Sequence, residues 1–219
     1  MVKVATSLLN VKEDECIQTL YNLEVAHTDY FHIDVMDGKF VEDDTTEKMR
    51  IYTEYIKQIS TLPIDVHLMV EDVKSFIESY LILEPDSITF HLEAVEKKEK
   101  VVEYIKRMKE AGCKVGLSIK PKTKVEELYE YLPYIHKVLI MTVEPGKGGQ
   151  TLLPETIGKI KEMKRYITNY HLDVNIEVDG GINKETAKEV REAGADILVA
   201  GSAIIKKKNF KEAIEDLKK

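Results

Sequence analysis

Three short stretches of this chain carry imidazoles and carboxylates among apolar strand-forming residues. They are His32-Ile33-Asp34-Val35-Met36-Asp37-Gly38, Asp65-Val66-His67-Leu68-Met69-Val70 and Asn175-Ile176-Glu177-Val178-Asp179-Gly180-Gly181. On a β-strand, residues two apart point the same way. His32, Asp34 and Met36 therefore share one face, and Asp65, His67 and Met69 share another, while Ile33, Val35, Val66 and Leu68 cover the reverse faces. A polar group buried in an apolar sheet is costly unless it is paired or bound to metal. His32, Asp34, His67 and Asp179 offer two nitrogens and two oxygens. That set suits one divalent ion, with Zn, Fe(II), Mn and Co all acceptable. A lone interior histidine is more often a packing residue than a ligand, but four aligned residues on three strands weigh the other way.

Glycine-rich turns form the second signal. Glu144-Pro145-Gly146-Lys147-Gly148-Gly149-Gln150 follows the sixth strand candidate, Gly180-Gly181 the seventh, and Gly201-Ser202 the eighth. Glycine lets the backbone approach an anion closely, and N–H groups at a helix start attract it. Turns need glycine in any case, yet three such turns in succession favour a phosphate grip. Met36, Met69 and Met141 fall on inward registers near strand ends. Methionine there is usually core packing; beside a metal it can also wall off a delocalised anion. Ser7 ends the first strand and is a candidate substrate contact or helix cap. His91 and Glu93 follow the fourth strand as supporting or packing residues. Glu177 is placed to orient a ligating histidine, as outer carboxylates do. Asp65 lies deeper, and Asp37 reads as a turn residue before Gly38.

These residues need a frame. Strand patterns occur at 2–6, 30–36, 64–69, 87–91, 114–119, 138–142, 174–178 and 197–200, and apolar residues at helical spacing fill most gaps, as at 100–111, 154–166 and 184–193. Asn183 is placed to cap the last of these helices, and Gly112 and Gly194 stand just past helix ends. Eight alternating units in 219 residues indicate one (β/α)8 barrel over residues 1–219. An open doubly wound sheet ranks second, because no glycine-rich dinucleotide fingerprint follows the first strand. In a barrel the active site lies at the C-terminal ends of the strands, where the polar exceptions fall.

A net charge of −7 argues against a nucleic-acid partner. No apolar run reaches membrane-spanning length, and Met1-Val2-Lys3-Val4 does not open a signal peptide. Cys16 and Cys113 lack partners at motif spacing and read as free thiols. The expected location is cytoplasmic.

The chain resembles the ribulose-phosphate 3-epimerase family across nearly its full length. The matching stretches are HIDVMDGKFV from His32, DVHLMV from Asp65, HLEA from His91, GLSIKPKT from Gly116, MTVEPGKGGQ from Met141, EVDGGIN from Glu177 and GADILVAGSA from Gly194. The resemblance implies a metal-dependent isomerase of carbohydrate metabolism, in the pentose phosphate pathway. It interconverts D-ribulose 5-phosphate and D-xylulose 5-phosphate. One divalent ion per subunit is implied on His32, Asp34, His67 and Asp179, with Asp34 and Asp179 as the acid/base pair. Substrate contacts are implied for Ser7 and for Gly146, Gly149, Gly180, Gly181, Gly201 and Ser202, with His67, Met36, Met69 and Met141 beside them. A homo-oligomer, a dimer or hexamer, is implied as well. The chain departs from the family pattern at Thr6, at Asn10-Val11-Lys12, at Glu42-Asp43 and at Lys147, which replaces an aromatic. Three alternatives follow. One is the same chemistry on another ketose phosphate such as D-allulose 6-phosphate. Another is a non-catalytic sugar-phosphate-binding barrel. The third, a phosphate-binding barrel decarboxylase, needs a lysine between acidic residues on strand three, and Asp65-Val66-His67 has none.

Overall fold

The computed structural model describes residues 2–219. The strands are β1 (Lys3–Ser7), β2 (Tyr30–Met36), β3 (Ile64–Met69), β4 (Ser87–His91), β5 (Lys114–Ile119), β6 (Lys137–Met141), β7 (Asn175–Asp179) and β8 (Ile197–Ala200). Each pairs in parallel with the next, and β8 pairs with β1 to close the barrel. The helices are α1 (Cys16–Val25), α2 (Thr46–Ile59), α3 (Val73–Leu81), α4 (Lys98–Glu110), α5 (Thr156–Asn169), α6 (Lys184–Ala193), α7 (Ser202–Ile205) and α8 (Phe210–Lys218). The architecture is a (β/α)8 barrel, as the alternation of patterns predicts. β1, β6 and β7 each sit one residue from the expected limits. The shift in β7 makes Asp179 a strand residue rather than the first loop residue.

One crossover differs from the rest. Between β5 and β6 the chain makes two 3-10 turns, Val125–Leu128 and Leu132–Tyr134, in place of an α-helix. Pro133 falls within the second turn. The segment still covers its side of the barrel, because Val125, Leu128, Tyr131 and Leu132 are all buried.

Most apolar burial lies between strands and helices. Ile33, Val35, Val66, Leu68, Val138, Ile140, Ile176 and Val178 join helix residues such as Leu20, Met49, Ile56, Ile77, Ile105 and Met163 in one continuous core. That arrangement leaves the opposite strand faces to fill the barrel interior. Asp65, Lys137 and Glu177 are buried in that interior alongside Ala5, Leu139, Ile197 and Val199. Cys16 and Cys113 are buried free thiols. Among the described residues no helix is long and apolar enough to cross a membrane.

The β7 loop is anchored by a capped helix. Asn183 Oδ1 accepts from Glu185 N at 2.9 Å and Thr186 N at 3.1 Å. Thr186 Oγ1 accepts in return from Asn183 N at 2.9 Å. Four backbone N–H groups at a helix start have no partner within the helix, so this reciprocal cap is stabilising. α6 ends at Gly194, with φ +115°. A Cβ there would stand 2.5 Å from Lys164 Cγ, so glycine is required on two counts. Replacing Asn183 with Ala should cost about 1 kcal/mol, read as a lower urea midpoint. An unchanged midpoint would show that the cap contributes nothing.

Candidate active site

The β2–β3 ladder sets the site. Its register places Asp34 beside His67, Met36 beside Met69 and His32 beside Asp65. Since all six are on inward parity, two imidazoles and two carboxylates face the interior side by side. Asp179, at the end of β7, comes from across the barrel. His32 Nε2 and His67 Nδ1 each lie 3.3 Å from Asp34 Oδ1, and His67 Nδ1 lies 3.7 Å from Asp179 Oδ2. One donor atom from each of His32, Asp34, His67 and Asp179 falls within 4.8 Å of every other. Both histidines are fully buried, whereas the Asp179 side chain keeps 18% exposure toward the opening.

The fit to a metal rests on His32 Nε2. It is buried and has no hydrogen-bond partner, although buried polar atoms are nearly always paired. Its other nitrogen, Nδ1, lies 2.9 Å from Asp65 Oδ2. A carboxylate on one imidazole nitrogen directs the other nitrogen's lone pair outward, which is how protein histidines meet metals. Two nitrogens and two carboxylates around one point fit a divalent ion. A second group, His32, Asp65 and Glu177, has comparable spacing, but Lys137 Nζ reaches both of its carboxylates.

Neighbours hold Asp34 and both histidines. Ser7 Oγ donates to Asp34 Oδ2 at 2.6 Å. Thr45 Oγ1 donates to the Asp34 carbonyl at 2.7 Å and accepts from Met36 N at 3.0 Å, fixing the end of β2. His91 Nε2 lies 2.9 Å from His67 Nε2, and His91 Nδ1 lies 3.2 Å from Glu93 Oε2. His91 is thus a partner of a ligand candidate rather than core filling. Glu177 departs from expectation: its carboxyl lies against Lys137, and Asp65 is the carboxylate that holds His32. Asp37 is the expected turn residue, accepting from Lys39 N and Phe40 N. Lys137 and Thr45 carry roles that no motif announced. The available signal for Lys137 was a single lysine at inward parity on an apolar strand.

The carboxyls titrate apart. Burial disfavours ionised Asp34, but His32 and His67 outweigh it and hold its pKa far below the usual carboxylate range. Burial, reinforced by the charge of Asp34, pushes Asp179 up to about 7. Burial and Asp65 push Glu177 up to about 8. Burial lowers His67 to about 4. For His32, burial is outweighed by Asp34 and Asp65, which keep its pKa well above the free imidazole value.

Above the cluster lies a cavity of about 910 Å³. Ser7, Met36, Met69 and Met141 line it, as do Gly146, Gly149, Gly180, Gly181, Gly201 and Ser202. His32 and His67 lie beneath that lining, fully buried. Gly180 and Gly181 have φ of +118° and +67°. A Cβ on Gly181 would meet Leu152 N at 2.3 Å, and one on Gly180 would meet Val143 Cγ2 at 2.3 Å. Only glycine fits at either position. At the rim, Lys147 Nζ lies 2.9 Å from Glu42 Oε2, so two departures from the family pattern pair with each other.

Comparisons with known proteins identify the family of the chain. The model of the ribulose-phosphate 3 epimerase family matches residues 3–205. The ribulose-phosphate 3-epimerase of Methanocaldococcus jannaschii is 39% identical over 219 residues, covering 100% of this chain and 90% of that protein. The Bacillus subtilis ribulose-phosphate 3-epimerase is 38% identical over 100% of this chain and 99% of its own length. The chain belongs to the ribulose-phosphate 3-epimerase family. Like its relatives in the epimerase family, it is an enzyme. Solved structures extend the fold more widely. KGPDC from Streptococcus mutans has a TM-score of 0.73 at 13% identity, covering 99% of this chain and 95% of that one. A 3-hexulose-6-phosphate synthase has a TM-score of 0.71 at 14% identity, covering 99% of this chain and 98% of that one. At such identities the likeness concerns the barrel alone.

The cluster makes metal-free stability depend on pH. Folded Asp179, Glu177 and His32 hold protons more tightly than they do in the unfolded chain. Where the native state binds more protons, stability falls as pH rises. His67 acts in the opposite sense only between its lowered value near 4 and the ordinary imidazole value of 6.5. Between about pH 6.5 and 8 the three raised groups therefore act alone within the cluster. Thermal scans of chelator-treated protein should show a falling Tm across that window. A flat or rising Tm would contradict the assigned shifts.

Proposed function

We propose that this enzyme is a metal-dependent ribulose-phosphate 3-epimerase that interconverts D-ribulose 5-phosphate and D-xylulose 5-phosphate. The observation that carries the reading is the convergence of Asp34 and Asp179, from β2 and β7, with His32 and His67 on one point at the floor of the cavity. Inverting the carbon beside a ketone requires a base on one side and an acid on the other, because the proton leaves one face and returns to the opposite one. Carboxyls from separated strands meet that demand, because one can act as base while the other acts as acid. His32, Asp34, His67 and Asp179 would hold the divalent ion. When bound, it supplies Lewis acidity to the sugar oxygens that carry the developing negative charge.

The remaining residues position the substrate. Ser7 keeps the Asp34 carboxylate turned toward the cavity through its 2.6 Å hydrogen bond. Met36, Met69 and Met141 present apolar, polarisable side chains to the space above the ligands. That wall excludes water from a planar enediolate and protects it from side reactions. The phosphate is assigned to the glycine turns after β6, β7 and β8, at Gly146, Gly149, Gly180, Gly181, Gly201 and Ser202. Holding the phosphate remote from the reacting carbon fixes that carbon between the two aspartates.

Asp34→Asn and Asp179→Asn should each lower turnover of D-ribulose 5-phosphate about 10²–10⁴-fold, with unchanged far-UV circular dichroism. Activity on D-ribulose 5-phosphate should also exceed that on D-allulose 6-phosphate. Folded variants with undiminished rates would remove the aspartates from proton transfer. A preference for D-allulose 6-phosphate would replace the substrate.

A further inference from the structure

A buried ammonium group lies one layer below the ligand cluster. Lys137 is the first residue of β6, and its side chain is 7% exposed. Strand parity turns it inward with Leu139 and Met141. Its Nζ donates to Asp65 Oδ1 on β3 and sits 2.6 Å from Glu177 Oε2 on β7. Gly116, paired with Lys137 across the β5–β6 ladder, leaves room for this path. A Cβ at 116 would stand 3.1 Å from Lys137 Cε and 2.2 Å from Thr89 Oγ1.

Asp65 joins this ammonium to the cluster above. Its Oδ1 accepts from Lys137 and, at 2.7 Å, from Ser87 Oγ. Its Oδ2 faces His32 Nδ1 at 2.9 Å. Both carboxylate oxygens are committed, one downward and one upward. His32 Nε2 then has a single direction left, toward Asp34 Oδ1. An imidazole whose carboxylate partner is itself fixed presents one tautomer and one ring angle; with a loose partner it samples others.

We propose that Lys137 is a positioning residue for the metal centre: it fixes Asp65 and, through Asp65, aims His32 Nε2 at the point where the four ligand candidates converge. The inference rests on the reading of His32, Asp34, His67 and Asp179 as a divalent-ion site. Lys137 itself touches neither that point nor the cavity. Its influence is carried by two contacts, and removal of either should have the same effect.

The test measures Co(II) dissociation constants by competition with a chromophoric chelator. It compares the wild type with Lys137→Met, Asp65→Asn and the double variant, each confirmed as folded by circular dichroism. Lys137→Met should weaken Co(II) binding about 10–100-fold, with activity recovering as Co(II) is raised. The double variant should lose no more than on the order of twofold beyond the worse single variant, the tolerance within which independent effects are distinguished. A folded Lys137→Met with wild-type affinity overturns the proposal, and so do losses that add. Should Lys137→Met fail to fold, Lys137→Gln combined with Glu177→Gln removes the ammonium together with one of its carboxylates. The same two outcomes then decide. A wild type that binds no Co(II) overturns the ion-site reading itself, which is a separate result.

Discussion

The site depends on the pairing register of β2 with β3. Asp34 lies beside His67 because Phe31 aligns with Ile64 and the ladder runs in step to Met36 and Met69. A slip of one residue would turn Ile33 and Val35 inward and send His32 and Asp34 into the layer beneath the helices. That slip is opposed from both sides. The apolar faces of β2 and β3 are locked into the main core through Ile33, Val35, Val66 and Leu68. The polar faces are tied by Asp65 to His32 and by Ser7 to Asp34. Barrel closure then fixes where Asp179 arrives, because the pairing of β8 with β1 leaves only two strands between β7 and β2.

Buried charge is the cost of that arrangement. Removing one partner from a buried ion pair costs about 3–5 kcal/mol, so each group needs a neighbour of the opposite sign or a hydrogen bond. The interior meets this in layers. Lys137 serves Asp65 and Glu177 at the lower level, and Asp65 serves His32 above it. His91 and Glu93 back His67 from the β4 side, and Glu93 is itself held by Lys120 N at 2.7 Å. His32 Nε2 is one of the buried polar atoms left without a hydrogen bond, along with Thr89 Oγ1, Ser118 Oγ and both Glu177 carboxyl oxygens, and it alone of these lies within the His32–Asp34–His67–Asp179 group. That position is compatible with a ligand of a divalent ion as well as with a packing residue.

Much of this was legible in the residues. Short apolar runs between helical patterns located every strand to within one residue, since parallel barrel strands bury both faces and their polar exceptions stand out. His32, Asp34, His67 and Asp179 were legible for the same reason, and the glycine turns because positive φ at Gly180 and Gly181 admits little else. The crossover between β5 and β6 was less so, because 3-10 turns leave no sustained helical period over 125–134. Lys137 was hidden by its chemistry. A lone lysine on a strand usually marks an edge or a surface, and its partners Asp65 and Glu177 lie far away in sequence. Parity places Glu177 inward, but parity does not say which neighbour it meets. The pairing of Glu42 with Lys147 joins loops distant in sequence and has no local signature.

The central claim is that four side chains from three strands enclose one divalent ion between two aspartates. Crystals grown with Zn(II) or Co(II), with anomalous scattering recorded at the metal edge, test it most directly. The account predicts one anomalous peak per chain, about 2.0–2.2 Å from a nitrogen of His32 and of His67 and from an oxygen of Asp34 and of Asp179. A peak bound elsewhere, or a fully loaded crystal in which any of the four side chains turns away from the ion, would contradict it.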